Sequence, residues 1–335
     1  MEMTRLDAWP GLRAATYQRH TLHHHEGLWP EKNCYTDVMI ELVHTLGCDP
    51  MAMFAFTHTA DFEGDQWTFF KPVHAELRDL YGIDIQELTV WRTLLEHAQE
   101  FLSAGKFICC EVDAFYLPDT VGTDYQSQHS KTTILMASLD VPSRHLGYFH
   151  NAAYFELSGN DFTHLFRMTA APDASYLPPY AESVRIDRLV RQPSSELVER
   201  SFGMFQRHFK NRPRTNPFSR FGQRLLRDQQ ELRTSGLAHY HAWAFATLRQ
   251  AGAAFELAAA HLRWLSDRGH PELMAAAGCF DRISDANKTL IRKGARAVHS
   301  GRLLDAAELI RNMEQSWDSG MEIIQKSLIQ EPALA

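Results

Sequence analysis

The sequence contains no apolar run long enough to cross a membrane. A spanning helix needs about 20 consecutive apolar residues, and none of the 335 positions begins such a run. The first seven residues combine acidic side chains with no apolar stretch, which is unlike a secretory signal. Repeats of fixed period and low-complexity tracts are also absent. These absences predict a globular protein that has no membrane partner.

Cysteine is scarce. The chain has five cysteines, an odd and small number, and no two are arranged as a Cys-x-x-Cys pair. This argues against a disulfide framework, a zinc site and a thioredoxin-like centre. We therefore expect a cytoplasmic location and no bound metal. The net charge of −7 disfavours a general affinity for nucleic acid.

The two halves of the sequence have different patterns. Between residues 50 and 160, short apolar or alternating runs, bounded by Gly, Pro and Asp, predict strands at 51–56, 67–70, 107–112, 132–139 and 146–149. Helical spacing predicts one helix that starts just after Cys34 and is stopped by Gly47, and another over 90–104. The first half is therefore predicted to be α+β.

The second half is predicted to be helical. Apolar residues three and four positions apart mark helices over 195–209, 222–233, 237–268, 271–299 and 302–330. Gly269 and Gly301 are suitable stops, and Pro271 suits a first turn. We expect an α+β domain at 1–185, followed by an all-α bundle at 186–335.

Cys34 is the best candidate for a reactive residue, because it follows a polar, Pro-containing loop and begins the first helix. The positive end of a helix dipole and its unpaired amides favour a thiolate. The same amides, with the Asn33 side chain, could hold an oxyanion. The alternative is a small buried apolar residue at a helix start. The other four cysteines lie in a buried strand, after a helix or within one, and are interpreted as structural.

A cysteine nucleophile needs a base, and His129 lies just before a predicted strand. The hairpin that follows would return Asn151 beside it, where a carboxamide could orient the imidazole. Asp140 is the alternative orienting group, although it falls at the turn end of the hairpin. This order of Cys, His and Asn is the one that papain-like enzymes use. The histidines of residues 20–25 are instead predicted to form an exposed polar loop.

Several motifs resemble a bacterial family of proteins of unknown function. They are Asn33-Cys34, the acidic block at 61–67, the segment 111–120, Tyr125 and His129. The family is similar, more remotely, to the N-terminal domain of the butirosin-biosynthesis acyltransferase, which is papain-like. That enzyme moves an acyl group from a carrier-protein thioester to an amine. Family members are encoded near amino acid:carrier-protein ligases, which implies an aminoacyl donor.

The resemblance implies a papain-like domain with Cys34, His129 and Asn151 as catalytic residues. Asn151 stands where many bacterial relatives have Asp, and no residue matches the glutamine that precedes the papain cysteine. Asp113 and Tyr116 are candidate substrate-binding residues. Asp113 could bind the acceptor amine, support His129 or simply cap a loop. The resemblance implies no bound cofactor, since phosphopantetheine would arrive on the partner carrier protein.

One segment is strongly basic. Residues 207–233 hold eight basic side chains against two acidic ones. Because carrier proteins are generally acidic, this segment could steer their approach. The candidate docking residues are Arg212, Arg214, Arg220 and Arg224. The interleaved phenylalanines leave two alternatives open, a single-stranded nucleic-acid surface and a solvated helical face.

The leading prediction is an acyltransferase that forms an acyl-Cys34 intermediate and passes the group to an amine. In the first alternative, a cysteine peptidase or amidase, water replaces the amine. In the second, the protein binds a carrier protein without catalysis.

Overall fold

A computed structural model describes residues 5–24, 28–170 and 176–330, which form two units. The first unit contains residues 5–24, 33–48, 74–170 and 176–191 and is built around an antiparallel sheet. The second contains residues 28–32, 49–73 and 192–330 and is mainly helical. The α+β prediction is therefore confirmed. None of the described helices is both long enough and apolar enough to cross a membrane.

Seven strands form the sheet of the first unit, all with antiparallel neighbours. They are β1 (Leu6–Asp7), β4 (Asp84–Glu87), β5 (Phe107–Asp113), β6 (Lys131–Asp140), β7 (His145–His150), β8 (Ala153–Ser158) and β9 (Ala181–Arg185). The order is β4-β9-β5-β6-β7-β8, and β1 also pairs with β6. The predicted strands at 107–112, 132–139 and 146–149 are confirmed.

Helix α1 (Cys34–Thr45) lies across this sheet. At its first turn, the Tyr35 hydroxyl donates to Glu182 on β9. At its last turn, Thr45 shares a hydrogen bond with Tyr17, whose ring contacts Tyr154 on β8. Glu182 and Tyr154 lie at the two ends of one row of paired residues across the sheet. Between them are Cys109 on β5, Leu135 on β6 and Phe149 on β7. Cys34 is thereby placed at the β9 end of the helix.

Three more helices complete the first unit: α2 (His74–Tyr81), α3 (Leu94–Ser103) and α4 (Asn160–Leu165). Helix α3 corresponds to the helix predicted over 90–104. Its start is fixed by Thr93, which accepts from the Glu96 amide while the Glu96 carboxylate accepts from the Thr93 amide. This reciprocal cap satisfies two amides that the helix itself leaves unpaired.

Five long helices and one shorter one form most of the second unit. They are α5 (Ser194–Lys210), α6 (Pro217–Thr234), α7 (Gly236–Ala244), α8 (Gln250–Ser266), α9 (Met274–His299) and α10 (Ala307–Gln330). A single π-helical turn, Phe245–Arg249, joins α7 to α8. Each predicted helix of this half is present. The prediction over 237–268 corresponds to α7, the π turn and α8 together.

Residues 49–73 pack with the helices, although the sequence-based division placed them in the first domain. The strand predicted at 51–56 is wrong, because Pro50–Thr59 is a 3₁₀ helix whose first turn is capped by Asp49. The strand predicted at 67–70 is reduced to β3 (Gln66–Trp67), which pairs with β2 (Phe62–Glu63). Trp67 is buried against aromatic rings of α6 and α8, which explains why this segment belongs to the helical unit.

A directional chain of hydrogen bonds crosses the core of the second unit. Ser201 donates its only hydroxyl proton to the Ala52 carbonyl at 2.8 Å, so its oxygen accepts from His261 Nε2 at 2.9 Å. Burial lowers the pKa of both His261 and His58, so each ring is neutral and carries a single proton. His261 Nδ1 then accepts, at 3.3 Å, from His58 Nε2. His58 Nδ1 is left as a buried acceptor that has no hydrogen-bond partner among the described residues.

Candidate functional site

Cys34 is the first residue of α1 and is half-buried. Asn33 forms the N-cap, and its side-chain oxygen accepts from the Thr36 amide at 2.8 Å. The cap explains why the helix begins here, since it satisfies one of the amides that a helix start leaves unpaired. The thiol consequently lies beside the positive end of the helix. The Asn33 oxygen serves the helix, so only its amide nitrogen is suited to an oxyanion.

His129 is paired with Asp113. The ring donates from Nδ1 to Asp113 Oδ2 at 2.6 Å, which fixes the tautomer and leaves Nε2 as the basic nitrogen. The ring also stacks on Phe115, with centroids 4.3 Å apart and planes within 10°. Asp113 itself is held by accepting from the Phe115 amide. The arrangement is a supported histidine, and 66% of its side chain is exposed.

The structure pairs the His129 ring with Asp113 and not with Asn151, the predicted orienting residue. Residues 134 and 150 are opposite each other in the hairpin. Asn151 then enters the tight turn before β8, with a left-handed φ of 45°, so the strand turns back before it reaches His129. The alternative, Asp140, accepts from the Ser143 amide in the opposite turn. Asp113 is adjacent because β5 ends where β6 begins.

Within the described ranges, no hydrogen bond joins the Cys34 thiol to the His129 ring. Tyr116 lies on the histidine's side of the site: its ring is 6.2 Å from the His129 ring and stacks on His164. His129, Asp113 and Tyr116 therefore form one cluster, which also includes Phe115. Cys34 belongs to the same unit, but among the described residues it makes no hydrogen bond to any member of that cluster.

A buried carboxylate lies close to the start of α1. Glu182 is fully buried and accepts from the hydroxyls of Tyr35 and Tyr180, both at 2.6 Å. Tyr35 also shares a 2.7 Å hydrogen bond with His74 Nε2. Burial and the negative charge of Glu182 raise the pKa of Tyr35, so its hydroxyl stays protonated. This network fixes the first turn of α1, and no local signal in the sequence marks it, because its members lie on distant segments.

A second network lies under the same helix and corrects the prediction of an exposed histidine loop. His23 is fully buried and contacts Asp37 Oδ1 at 3.0 Å and Glu41 Oε1 with its other nitrogen. Because carboxylates only accept, both ring nitrogens donate and the ring is a cation. Burial opposes this charge, but the two carboxylates prevail and raise the pKa of His23 to about 9. His25 lies outside the described residues.

A third buried network joins β6 and β7 to the loop after β5. His150 contacts Asp119 through Nδ1 and Thr132 Oγ1 through Nε2, the latter at 2.8 Å. The Tyr148 hydroxyl donates to the other Asp119 oxygen. The His150 and Asp119 side chains are 2% and 3% exposed. Nothing local in the sequence marks the pairing of His150 with Asp119, which lies on a distant segment of the chain.

The four arginines predicted to dock a carrier protein have different environments. Arg220 pairs with Asp61 and donates to the Phe62 carbonyl at 2.6 Å, and Arg224 pairs with Asp228 at 2.6 Å. Arg212 and the exposed Arg214 instead line a groove between α5 and α10. Two of the four predicted docking residues, Arg220 and Arg224, therefore have their charge balanced by ion pairs within the protein. Among the described residues, no group of three or more His, Cys, Asp and Glu side chains is placed to hold a metal ion.

Comparison with protein families covers nearly the whole chain. Residues 18–186 match the model of the DUF1839 N-terminal domain, and residues 194–326 match that of the DUF1839 C-terminal domain. The chain belongs to the DUF1839 family. This confirms the resemblance to a family of unknown function. No curated protein matches the chain. Along the sequence, the two matched ranges are separated by residues 187–193.

Proposed function

We propose that this DUF1839 protein is a papain-like, cysteine-dependent acyltransferase. It takes an aminoacyl or acyl group from the phosphopantetheine thioester of a carrier protein and gives it to an amine. The position of Cys34 carries the proposal: it is a half-buried thiol at the start of a helix that lies across an antiparallel sheet. A helix start stabilises a thiolate over a thiol, which is how many cysteine nucleophiles are activated.

In the first step, His129 takes the proton of the Cys34 thiol, and the resulting thiolate attacks the thioester carbonyl. The bond between carbonyl carbon and pantetheine sulfur breaks, and the pantetheine leaves as a thiol with a proton from His129. In the second step, the amine attacks the acyl-Cys34 carbonyl, His129 accepts the amine proton, and Cys34 leaves as a thiolate. No oxidant or reductant is needed. The exchange of one thioester for another is nearly isoenergetic, so the intermediate stays reactive.

His129 is the proposed base because Asp113 holds its Nδ1 and its ring is accessible. The mechanism requires the exposed ring to come within hydrogen-bonding reach of Cys34 when substrate is bound, as catalytic contacts often tighten only then. Asp113 takes the orienting role predicted for Asn151. The amides at the start of α1 and the Asn33 side-chain nitrogen would hold the oxyanion, and Tyr116 would flank the substrate.

The groove that contains Lys210, Arg212 and Arg214 is the proposed docking surface for an acidic carrier protein. With Lys326, its lining holds four cations against two carboxylates, Asp318 and Glu322. Arg220 and Arg224 would contribute less, since their charges are balanced by Asp61 and Asp228. Electrostatic steering of this kind acts on the association rate and weakens with salt.

The test uses a carrier protein loaded with a radiolabelled amino acid. The expected result is label on the wild-type protein in a bond that hydroxylamine cleaves, and none on Cys34→Ala. Cys48→Ala is the matched control, because Cys48 is also half-buried but follows the end of α1. Equal labelling of wild type and Cys34→Ala would overturn the proposal.

The base is tested separately by Asp113→Asn, which should slow label transfer about 10- to 100-fold by weakening the support of His129. Asp140→Asn is the control, since Asp140 accepts from the Ser143 amide in the β6–β7 turn, at the other end of β6 from His129. Adding candidate amines then separates two activities. Amine-dependent release as an amide supports the transferase, whereas release of the free amino acid without amine indicates a hydrolase.

A further inference from the structure

A cavity of about 410 Å³ in the second unit combines aromatic and cationic side chains. Trp29, Phe245, Arg249 and Lys288 are part of its lining. The volume lies within the range of small-molecule sites, which are mostly apolar with a few convergent polar groups. None of these four residues has a part in the proposed acyl transfer.

The Trp29 wall of the cavity is rigidly held. The indole is 3% exposed and donates to Ser284 Oγ at 2.7 Å. Its ring lies so close to Gly252 that a Cβ at that position would be 2.3 Å from Cζ2. The absence of a side chain at Gly252 therefore lets the indole lie directly on α8. The wall is formed before any ligand binds.

The lining also includes an exposed aromatic ring, which lies on an irregular turn. Phe245 is 62% exposed and begins the π-helical turn Phe245–Arg249. Such turns are rare and frequently occur at functional sites. The Arg249 guanidinium lies 4.4 Å from the centre of the Phe245 ring. The turn thus presents a cation and a phenyl ring together.

Positive charge is concentrated around the cavity. Lys288 Nζ lies 4.3 Å from the centre of the Trp29 ring and donates to the Leu28 carbonyl at 3.2 Å. Burial and the charges of Arg292 and Arg249 lower the pKa of Lys288, although Glu256 opposes this. Arg249 lies 3.7 Å from the carboxylate of Glu31, which also lines the cavity, and donates to the Glu31 carbonyl at 3.2 Å. An anion in the cavity would relieve the repulsion among these cations.

We propose that this cavity binds a small organic phosphate that carries a flat ring, of the nucleoside monophosphate type. The phosphate is held by Arg249 and Lys288, and the ring packs on Phe245. An arginine fork and a lysine ammonium are the side chains that proteins use most readily for phosphate. This binding is independent of the acyl transfer at Cys34.

The proposal is tested by calorimetric titration of the full chain with adenosine monophosphate, adenosine and ribose 5-phosphate. We expect saturable binding of adenosine monophosphate. The two fragments, which lack either the phosphate or the ring, should bind at least about tenfold more weakly, because a charged hydrogen bond or a stacked ring is worth about 1.4 kcal/mol or more. Equal binding of adenosine and adenosine monophosphate, or no saturable binding, would refute it.

Variants locate the site. Lys288→Met keeps the aliphatic stem over Trp29 but removes the charge, and Arg249→Met removes the second cation. Each should weaken adenosine monophosphate binding about tenfold. Lys293→Met is the control, because Lys293 is exposed on the same helix and does not line the cavity. If Lys288→Met fails to fold, Arg249→Met decides. Unchanged affinity in the folded charge-removal variants overturns the assignment.

Discussion

The neutral pair His58–His261 is expected to make the second unit sensitive to acid. Burial lowers the pKa of His261 to about 3 and that of His58 well below its usual value. Both rings take up a proton near pH 6.5 once unfolded, so the unfolded state binds more protons below that pH. Their contribution to stability is therefore complete above pH 6.5 and declines as the pH falls towards 3.

The size of the effect follows from linkage. For a histidine with pKa 6.5 unfolded and about 3 folded, the free energy of unfolding falls by about 2 kcal/mol between pH 8 and pH 5. His58 adds a loss of the same sign. The geometry gives the reason: a proton on His261 Nδ1 would face the His58 Nε2 donor, and a proton on His58 Nδ1 would have no acceptor.

The perturbation is His261→Gln, which replaces the titrating ring with a neutral side chain that can still donate to Ser201. Urea unfolding at pH 8 and pH 5 is followed by tryptophan fluorescence, for which Trp264, stacked on His261, is a local reporter. The loss of stability between the two pH values should be about 2 kcal/mol smaller in the variant. His299→Gln, at an exposed site, should behave like wild type. An equal loss in wild type and His261→Gln would refute the reasoning.

Two further predictions concern the buried histidine that contacts α1 and the glycine that packs against the Trp29 wall of the cavity. His23, whose folded pKa is about 9, stabilises the fold fully below pH 6.5, and about 3 kcal/mol of that is lost as the pH rises through 9. Urea unfolding at pH 6 and pH 10 should show this loss in wild type and not in His23→Gln. Gly252→Ala should cost about 1–3 kcal/mol, because its Cβ would overlap the Trp29 ring. Gly278→Ala, which meets no atom within 4 Å, should not destabilise; equal thermal shifts in both variants would contradict this.

Helix boundaries could be predicted wherever the signal is local. Asn33 caps α1, and Gly47 ends it with a left-handed φ of 72°. These signals depend on a few adjacent residues, so no knowledge of packing is needed. The 3₁₀ helix Pro50–Thr59 is different, because its continuous apolar run has the composition of a buried strand. Periodicity cannot distinguish the two when every face is buried.

The sequence predicts which residues belong to the candidate site, but it does not predict which of them contact each other. His129 was identified from its position before a strand, whereas its partner depends on where β5 ends relative to β6. The register places Asp113 opposite Lys131, two positions from His129. The hairpin within one segment brings Asn151 close, whereas for Asp113 the sequence leaves support of His129 as one of three roles. Strand pairing between distant segments is the information that a single sequence lacks.

Three histidine–aspartate pairs lie among the described residues of the sheet unit. The pair His23–Asp37 is buried under α1, and accessibility decides which of the other two suits proton transfer. In the pair His150–Asp119, the ring donates to the carboxylate and accepts from Thr132, so both nitrogens are occupied and the side chain is 2% exposed. In the pair His129–Asp113, only Nδ1 has a hydrogen-bond partner among the described residues. A base must exchange a proton with a group that arrives with the substrate. His129 meets that requirement, whereas His150 holds β6, β7 and the loop of Asp119 together.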